Sequence, residues 1–274
     1  MKWTLRSAMG TREILHWPQE TGQTAFSQIR GGNPILFPFC GRSFVDGVEG
    51  YWIGPDQQKR PMPKHGFARQ GEFEVVEIGP HHLVTAFIPD AEALEAYPFA
   101  YSFHVTYTFE ELALSVTLSL ENKNKHPIPW SAGHHFYFTL PWHVGTTRDD
   151  YLLHMEPRKS AYHGPDGLLV TTRERNARHA LGDPALIDRI HWELRHHQVS
   201  FGPKNGEEDV FLTIGEKNPP AAAMCLVTWS ESEDAPWYCV EPWMGPPNAA
   251  GHGKGLHWVA AGERADFTVR VSLY

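Results

Sequence analysis

The chain has 274 residues, 41% of them hydrophobic and 20% charged, with a formal net charge of −8. That length supports one large β domain or two average ones, and that hydrophobic content supports a sizeable core. The acidic balance argues against nucleic acid as the main partner because a basic footprint is missing, although a few local arginines can still hold a small anion.

The opening, MKWTLRSAMGTREILHW, reads as a short strand. It lacks the apolar core of a secretory signal, and no later stretch is apolar for long enough to span a membrane. Gln28–Arg42 follows as QIRGGNPILFPFCGR, where Gly31-Gly32 permits a tight turn and Pro34 and Pro38 exclude a helix. Ile35, Leu36 and Phe37 are expected to be buried, flanked by Arg30 and Arg42. Residues 43–63, rich in Gly and Pro, read as one long loop, and loops of that length are often functional. The loop ends in MPKHGFAR, which sets His65, Gly66 and Arg69 directly before a strand over Phe73–Ile78.

Residues 91–98 predict one short helical turn ending at Tyr97-Pro98. Two alternating strands come next, Ser102–Phe109 and Leu112–Leu120, joined at Glu110-Glu111 as a hairpin with one buried face. Trp130–Trp142, WSAGHHFYFTLPW, places two adjacent histidines in an aromatic strand. On a strand, successive side chains point to opposite faces, so only one of His134 and His135 can enter a given pocket.

Arg158–Asp183 is polar and reads as irregular, and Ile187–His191 holds Asp188 among apolar residues. Ala221–Thr228 reads as a buried strand. In Trp237–Asn248, WYCVEPWMGPPN, Glu241 follows an apolar run. A carboxyl group at the end of a buried strand is costly unless it is paired, which makes Glu241 a functional candidate. The last strand, Asp266–Tyr274, alternates Phe267, Val269, Val271 and Leu273. Cys40, Cys225 and Cys239 are odd in number and lack a C-x-x-C spacing, the pattern of a reducing, cytoplasmic chain with free thiols. Many strands without matching helices, 22 Pro and 24 Gly at turns and 10 Trp predict an all-β sandwich closed by long loops.

Five segments resemble the aldose 1-epimerase (galactose mutarotase-like) superfamily: IRGGNPILFP with the following GR, PKHGFAR, GHHFYFTLP, IDRIH and VEPWMGPPN. They occur in the family's order from Arg30 to Asn248, and the ending LHWVAAGERADFTVRVSLY is similar to its last strands. The resemblance implies a single all-β domain over residues 1–274, a large twisted antiparallel supersandwich with few short helices. It also implies one monosaccharide as substrate. Matched residue by residue, His135 and Glu241 fall on the catalytic pair, His65 on the first active-site histidine, and Arg42 and Asp188 on residues that hold sugar hydroxyls. Arg30 and Arg69 fall on residues that help bind phosphate in hexose-6-phosphate members. His134 matches no role.

The implied reaction interconverts α and β anomers by ring opening, with Glu241 ionised as the base and His135 protonated as the acid, and needs no metal or cofactor. Trp52 or Trp243 is a candidate to stack on the sugar. Three readings compete: a mutarotase of free aldoses, the same chemistry on a hexose 6-phosphate, and a non-catalytic sugar-binding module. Retention of both His135 and Glu241 disfavours the last. EPWMGPP and the lack of a lysine-rich cluster favour free aldoses over phosphates. A zinc enzyme is disfavoured because no H-x-x-x-H or H-E-x-x-H spacing occurs.

Overall fold

Period-two alternation sets where the sheets form. In Ala113–Asn122, Leu114, Val116, Leu118 and Leu120 are buried, and the strand pairs antiparallel with Tyr101–Glu110 on one side and Arg264–Leu273 on the other. The structure is a computed structural model and describes every residue except 1, 8–9, 23–25, 165–167, 207 and 219. Among the described residues, a nine-stranded sheet runs in the order Arg178–Ala180, Tyr151–His154, Gln198–Pro203, Val210–Ile214, Arg264–Leu273, Ala113–Asn122, Tyr101–Glu110, His82–Ile88 and Glu72–Ile78.

A second, ten-stranded sheet faces it. Its main path is Trp3–Ser7, Gly10–Leu15, Phe136–Thr139, Trp237–Trp243, Cys225–Trp229, Arg189–Leu194, Pro157–His163 and Leu169–Arg173, and Ile35–Leu36 and Gly133–His134 join beside Trp237–Trp243. The two sheets enclose one large core. Phe138 from one meets Phe201 from the other with ring centroids 4.9 Å apart. The architecture is an antiparallel β-sandwich with two short α-helices among the described residues, Ala91–Ala96 and Ala249–His252. The Asp90 carboxylate caps the first of these by accepting from the Ala93 N–H at 2.8 Å.

Several local expectations change. The hairpin connection is Glu111-Leu112, not Glu110-Glu111, because Glu110 already pairs with Ala113. Residues 43–63 are not one open loop. They fold into two small ribbons, Phe44–Val45 with Val48–Glu49 and Tyr51–Ile53 with Lys59–Pro61. Asp46-Gly47 supplies the first turn with positive φ at both positions (50° and 76°), the geometry that Asp-Gly favours in a two-residue hairpin. The stretch read as irregular over Arg158–Asp183 carries strands Pro157–His163, Leu169–Arg173 and Arg178–Ala180, while residues 165–167 within it lie outside the described residues. Its polar residues suit a sheet whose outer strands face water. The strand expected from Ala221 begins at Cys225, after a turn closed by Met224 N–H on Ala221 O at 2.9 Å.

The ten-stranded sheet is covered on its outer face as well. Trp237–Trp243 is buried along its whole length: Tyr238 and Val240 face the main core, while Cys239 and Trp243 belong to two smaller clusters on the other side. Cys225 sits opposite Trp243 and Cys239 opposite Trp229, so the two thiols lie at different ends of the paired strands, and all three cysteines are free.

Two histidines sit inside these layers as neutral rings. Burial pushes His134 and His191 each down to about 3. In the unfolded chain such a ring takes up a proton near pH 6.5. The unfolded state therefore binds more protons between about pH 6.5 and pH 3, and stability falls as pH drops through that window. Replacing His191 by Leu should flatten the fall in urea unfolding free energy between pH 6 and pH 5 by about 1 kcal/mol per ring. An unchanged slope would show that His191 does not remain neutral in the folded protein.

Candidate active site

The outer face of the ten-stranded sheet holds a cavity of about 310 Å³, in the range of small-molecule sites. Strand register builds its floor. With Gly133 opposite Trp243 and Phe136 opposite Val240, His135 stands directly across from Glu241. Facing residues on neighbouring strands are close enough for their side chains to meet, and His135 Nε2 lies 3.5 Å from Glu241 Oε2. His134 points the other way, into the core against Phe136 and Phe267. Tyr137 stacks on His135 at 4.8 Å, and Val227 and Trp229 extend the same face from the next strand.

His135 is 5% exposed and Glu241 1%. Burial pushes the Glu241 carboxyl well above its ordinary range, with nearby Lys64 and Arg69 opposing the shift. Burial also pushes His135 well below its ordinary value, and Arg69 and Lys64 push it further. Burial thus favours the neutral form of each group, a carboxyl beside an imidazole. These directions run against the expectation of an ionised Glu241 and a protonated His135. The two descriptions contain the same number of protons and differ only in which group carries the one in question. Glu241 Oε2 has no hydrogen-bond partner among the described residues, so a buried acceptor faces the cavity unsatisfied.

His65 arrives from a different part of the fold. Its backbone is left-handed at φ 70°, followed by Gly66 at φ 72°, and this pair turns the segment against Phe37. The His65 N–H donates to Gly41 O at 2.7 Å, and its Nδ1 accepts from the Gly41 N–H at 3.2 Å. Nδ1 is thus an acceptor, the ring proton resides on Nε2, and His65 can donate one hydrogen bond. Burial, His135 and the nearby cations all hold it well below the ordinary histidine value. Its ring lies between those of His135 and Trp243, with centroids 5.5 Å from each.

Arg30, Arg42, Arg69 and Asp188 also line the cavity, so all seven residues singled out from the sequence meet there. Asp188 takes a left-handed φ of 54° immediately before strand Arg189–Leu194. Backbone strain of this kind concentrates at functional sites. Arg42 pairs with Glu49 at 3.5 Å, and Arg30 pairs with Glu231 at 3.3 Å while lying over the Trp229 ring. Trp243 lines the cavity, but Trp52 does not. The Trp52 indole donates to Ala96 O at 2.8 Å and packs on Phe39 in the core.

Lys64, Gln28, His163, Tyr137 and Trp229 were not singled out, yet they line the cavity. Lys64 lies within the PKHGFAR motif, next to His65. His163 lay in the stretch read as irregular, and Trp229 could be found only from the pairing of Cys225–Trp229. Lys64 sits at the rim, where desolvation lowers its ammonium and Asp188 opposes the shift. His135, Cys239 and Glu241 also bring ligand-type atoms within 4.8 Å of one another. They could hold a metal only after Cys239 lost a proton that burial holds on its thiol.

A family model for aldose 1-epimerase matches residues 13–176. The chromosomal protein LacX of Lactococcus lactis is 24% identical over 231 residues, covering 78% of this chain and 74% of that protein. Among solved structures, protein Slr1438 from Synechocystis superposes with a TM-score of 0.79 at 20% identity, covering 100% of this chain and 95% of that one. A galactose mutarotase-like protein from Lactobacillus casei gives a TM-score of 0.74 at 22% identity, with 100% of both chains covered.

Gly66 tests how the site is held. A Cβ there would lie 2.0 Å from Phe37 O and adopt φ +72°, whereas one on Gly47 would share the strained φ (+76°) but meet nothing within 4 Å. Gly47→Ala should cost about 1–2 kcal/mol, the conformational penalty alone. Gly66→Ala should cost distinctly more in chemical denaturation, since backbone on both sides must move. Equal losses would mean that the Phe37 contact does not fix the His65 segment.

Proposed function

The chain belongs to the aldose 1-epimerase family, and from that membership we propose that it is a mutarotase interconverting the α and β anomers of a monosaccharide. The observation that carries the reading is the buried cross-strand pair, His135 Nε2 at 3.5 Å from Glu241 Oε2 on the cavity floor. A module that only binds sugar gains nothing from an acid and a base buried face to face, and both are expensive to bury.

In this reading the anomeric hydroxyl lies against Glu241 and the ring oxygen lies near His135. When the sugar displaces water, its hydroxyls and the Lys64 and Arg69 cations favour the Glu241 carboxylate, and the shared proton passes to His135. Glu241 then takes the proton from the anomeric hydroxyl, a C1 carbonyl forms, and the C1 bond to the ring oxygen breaks. His135 gives its proton to that oxygen. The open chain rotates about C1–C2 and recloses on the other face, which returns both protons. His65 donates Nε2–H towards the ring oxygen, and Arg42 and Asp188 hold hydroxyls by charge-assisted hydrogen bonds. Trp243 and Trp229 offer ring faces to the sugar.

A second reading has its own support. Arg30, Arg42, Lys64 and Arg69 all line the cavity, against the acidic groups Asp188 and Glu241. That collection of cations suits a sugar phosphate, and it weakens the earlier preference for a free aldose. A panel of fresh α-anomers, with and without a 6-phosphate, followed by polarimetry, separates the two.

Glu241→Gln should slow anomer exchange by roughly 10²–10⁴-fold while sugar binding survives, and His135→Asn should do likewise. Wild-type kcat/KM should follow a bell in pH. Its acidic limb should lie below the ordinary histidine value, as the imidazole takes up a second proton. Its alkaline limb should lie above the ordinary carboxylate value, as the pair loses its shared proton. An unchanged rate in a folded, sugar-binding Glu241→Gln protein would remove Glu241 as the base.

A further inference from the structure

The His135 backbone sits at a break in the sheet. Gly133–His134 pairs with Ile35–Leu36, and Phe136–Thr139 pairs with Trp237–Trp243, but His135 itself belongs to neither strand. Its N–H is nevertheless satisfied. Asn33 Oδ1 accepts it at 3.0 Å, and the Asn33 amide nitrogen lies 3.0 Å from His134 Nδ1. Asn33 is 7% exposed, and the neighbouring Gly32 carbonyl accepts from the Tyr137 N–H at 2.9 Å. One carboxamide therefore bridges two consecutive residues whose rings point to opposite faces of the sheet.

We propose that Asn33 is a positioning residue for the acid–base pair, whose carboxamide clamps the His134-His135 backbone and so fixes the His135 ring against Glu241. The assignment rests on the mutarotase reading of the site.

The hydrogen-bond inventory makes the clamp directional. Asn33 Oδ1 can only accept, so its amide nitrogen is the donor towards His134 Nδ1. His134 is then neutral with its proton on Nε2, in a core too apolar to tolerate the imidazolium. Because His134 does not ionise near neutral pH, the clamp holds across the working range. The reacting face of His135 is on the opposite side of the chain, where Glu241, His65, Arg69 and Lys64 meet it. Loss of the clamp frees the His135 N–H at the strand break. A small rotation of the His135 ring then spoils the alignment on which proton transfer depends, without removing any group that holds the sugar.

Asn33→Leu and Asn33→Asp separate positioning from bulk packing. Leucine fills the space but cannot accept from His135 N–H. Aspartate keeps the acceptor, and its second oxygen is satisfied if His134 moves its proton from Nε2 to Nδ1. Steady-state anomer exchange should show kcat reduced by up to roughly 10²-fold in Asn33→Leu with KM within about twofold, and most of that loss recovered in Asn33→Asp. Ring ¹⁵N NMR of the same proteins should show the His135 titration displaced in Asn33→Leu and restored in Asn33→Asp. In wild type the His134 ring should carry its proton on Nε2, a result that needs no variant to fold.

The proposal is overturned by a His134 proton on Nδ1 in wild type, by wild-type kcat in Asn33→Leu, or by equal loss in the two variants. Failure of the mutarotase reading looks different: wild type then accelerates no anomer exchange, while the NMR arm still decides whether Asn33 fixes His135.

Discussion

The structure depends on the register between Phe136–Thr139 and Trp237–Trp243. That pairing sets an imidazole opposite a carboxyl on the outer face of a sheet whose inner face is the main core. A slip of one residue would exchange the faces. If Phe136–Thr139 slipped, His134 would face the cavity in place of His135; if Trp237–Trp243 slipped, Glu241 would be driven into the core in place of Tyr238 and Val240. The hydrophobic demand of the inner face therefore fixes the acid–base geometry of the outer one, because Tyr238 and Val240 can be buried only if Glu241 faces outwards.

The outer face needs its own cover to make that geometry useful. Two small apolar clusters flank the pair, one around Cys225 and Trp243 and the other around Tyr137 and Cys239. Their low polarity adds to the burial that favours the neutral form of each group. Segments that reach the cavity from elsewhere bring the charge: Arg30, Arg42, Lys64 and Arg69 from the first quarter of the chain, and Asp188 from the start of strand Arg189–Leu194. Charged groups thus line the rim, and the His135–Glu241 pair lies on the floor. Two cavity-lining positions, His65 and Asp188, adopt left-handed backbone, which is uncommon outside glycine although Asp and His tolerate it better than most residues. Their side chains reach the cavity at the cost of local strain, which the surrounding sheets absorb.

Much of this was legible in the sequence. The alternation of Leu114, Val116, Leu118 and Leu120 marked the central strand, and Phe267, Val269, Val271 and Leu273 marked its neighbour. Glu241 was visible as a carboxyl inside an otherwise buried run, a placement that packing alone does not explain. The aromatic HHFYF stretch announced that one histidine faced in and one faced out, and the family resemblance said which. Other features depend on pairing and could not be read from the chain. Trp229 lies near Glu241 only because its strand runs beside Trp237–Trp243, and His163 reaches the cavity from an outer strand whose polar residues hid its period. The Asp46-Gly47 turn was present in the sequence and was missed among the surrounding glycines and prolines. The protonation of the pair could not be read from the chain for a physical reason: exposed reference values suggest an ion pair, whereas burial favours the neutral form of each group.

The central claim is that the single proton available to His135 and Glu241 rests on the carboxyl when no sugar is bound. Ring ¹⁵N NMR of His135 in the sugar-free protein, followed from pH 8 to pH 5, tests it most directly. The account predicts a neutral imidazole throughout, with a change on saturation by sugar as the proton passes across. An imidazolium signal for His135 at neutral pH in the empty protein would contradict it and would restore the ordinary ion pair.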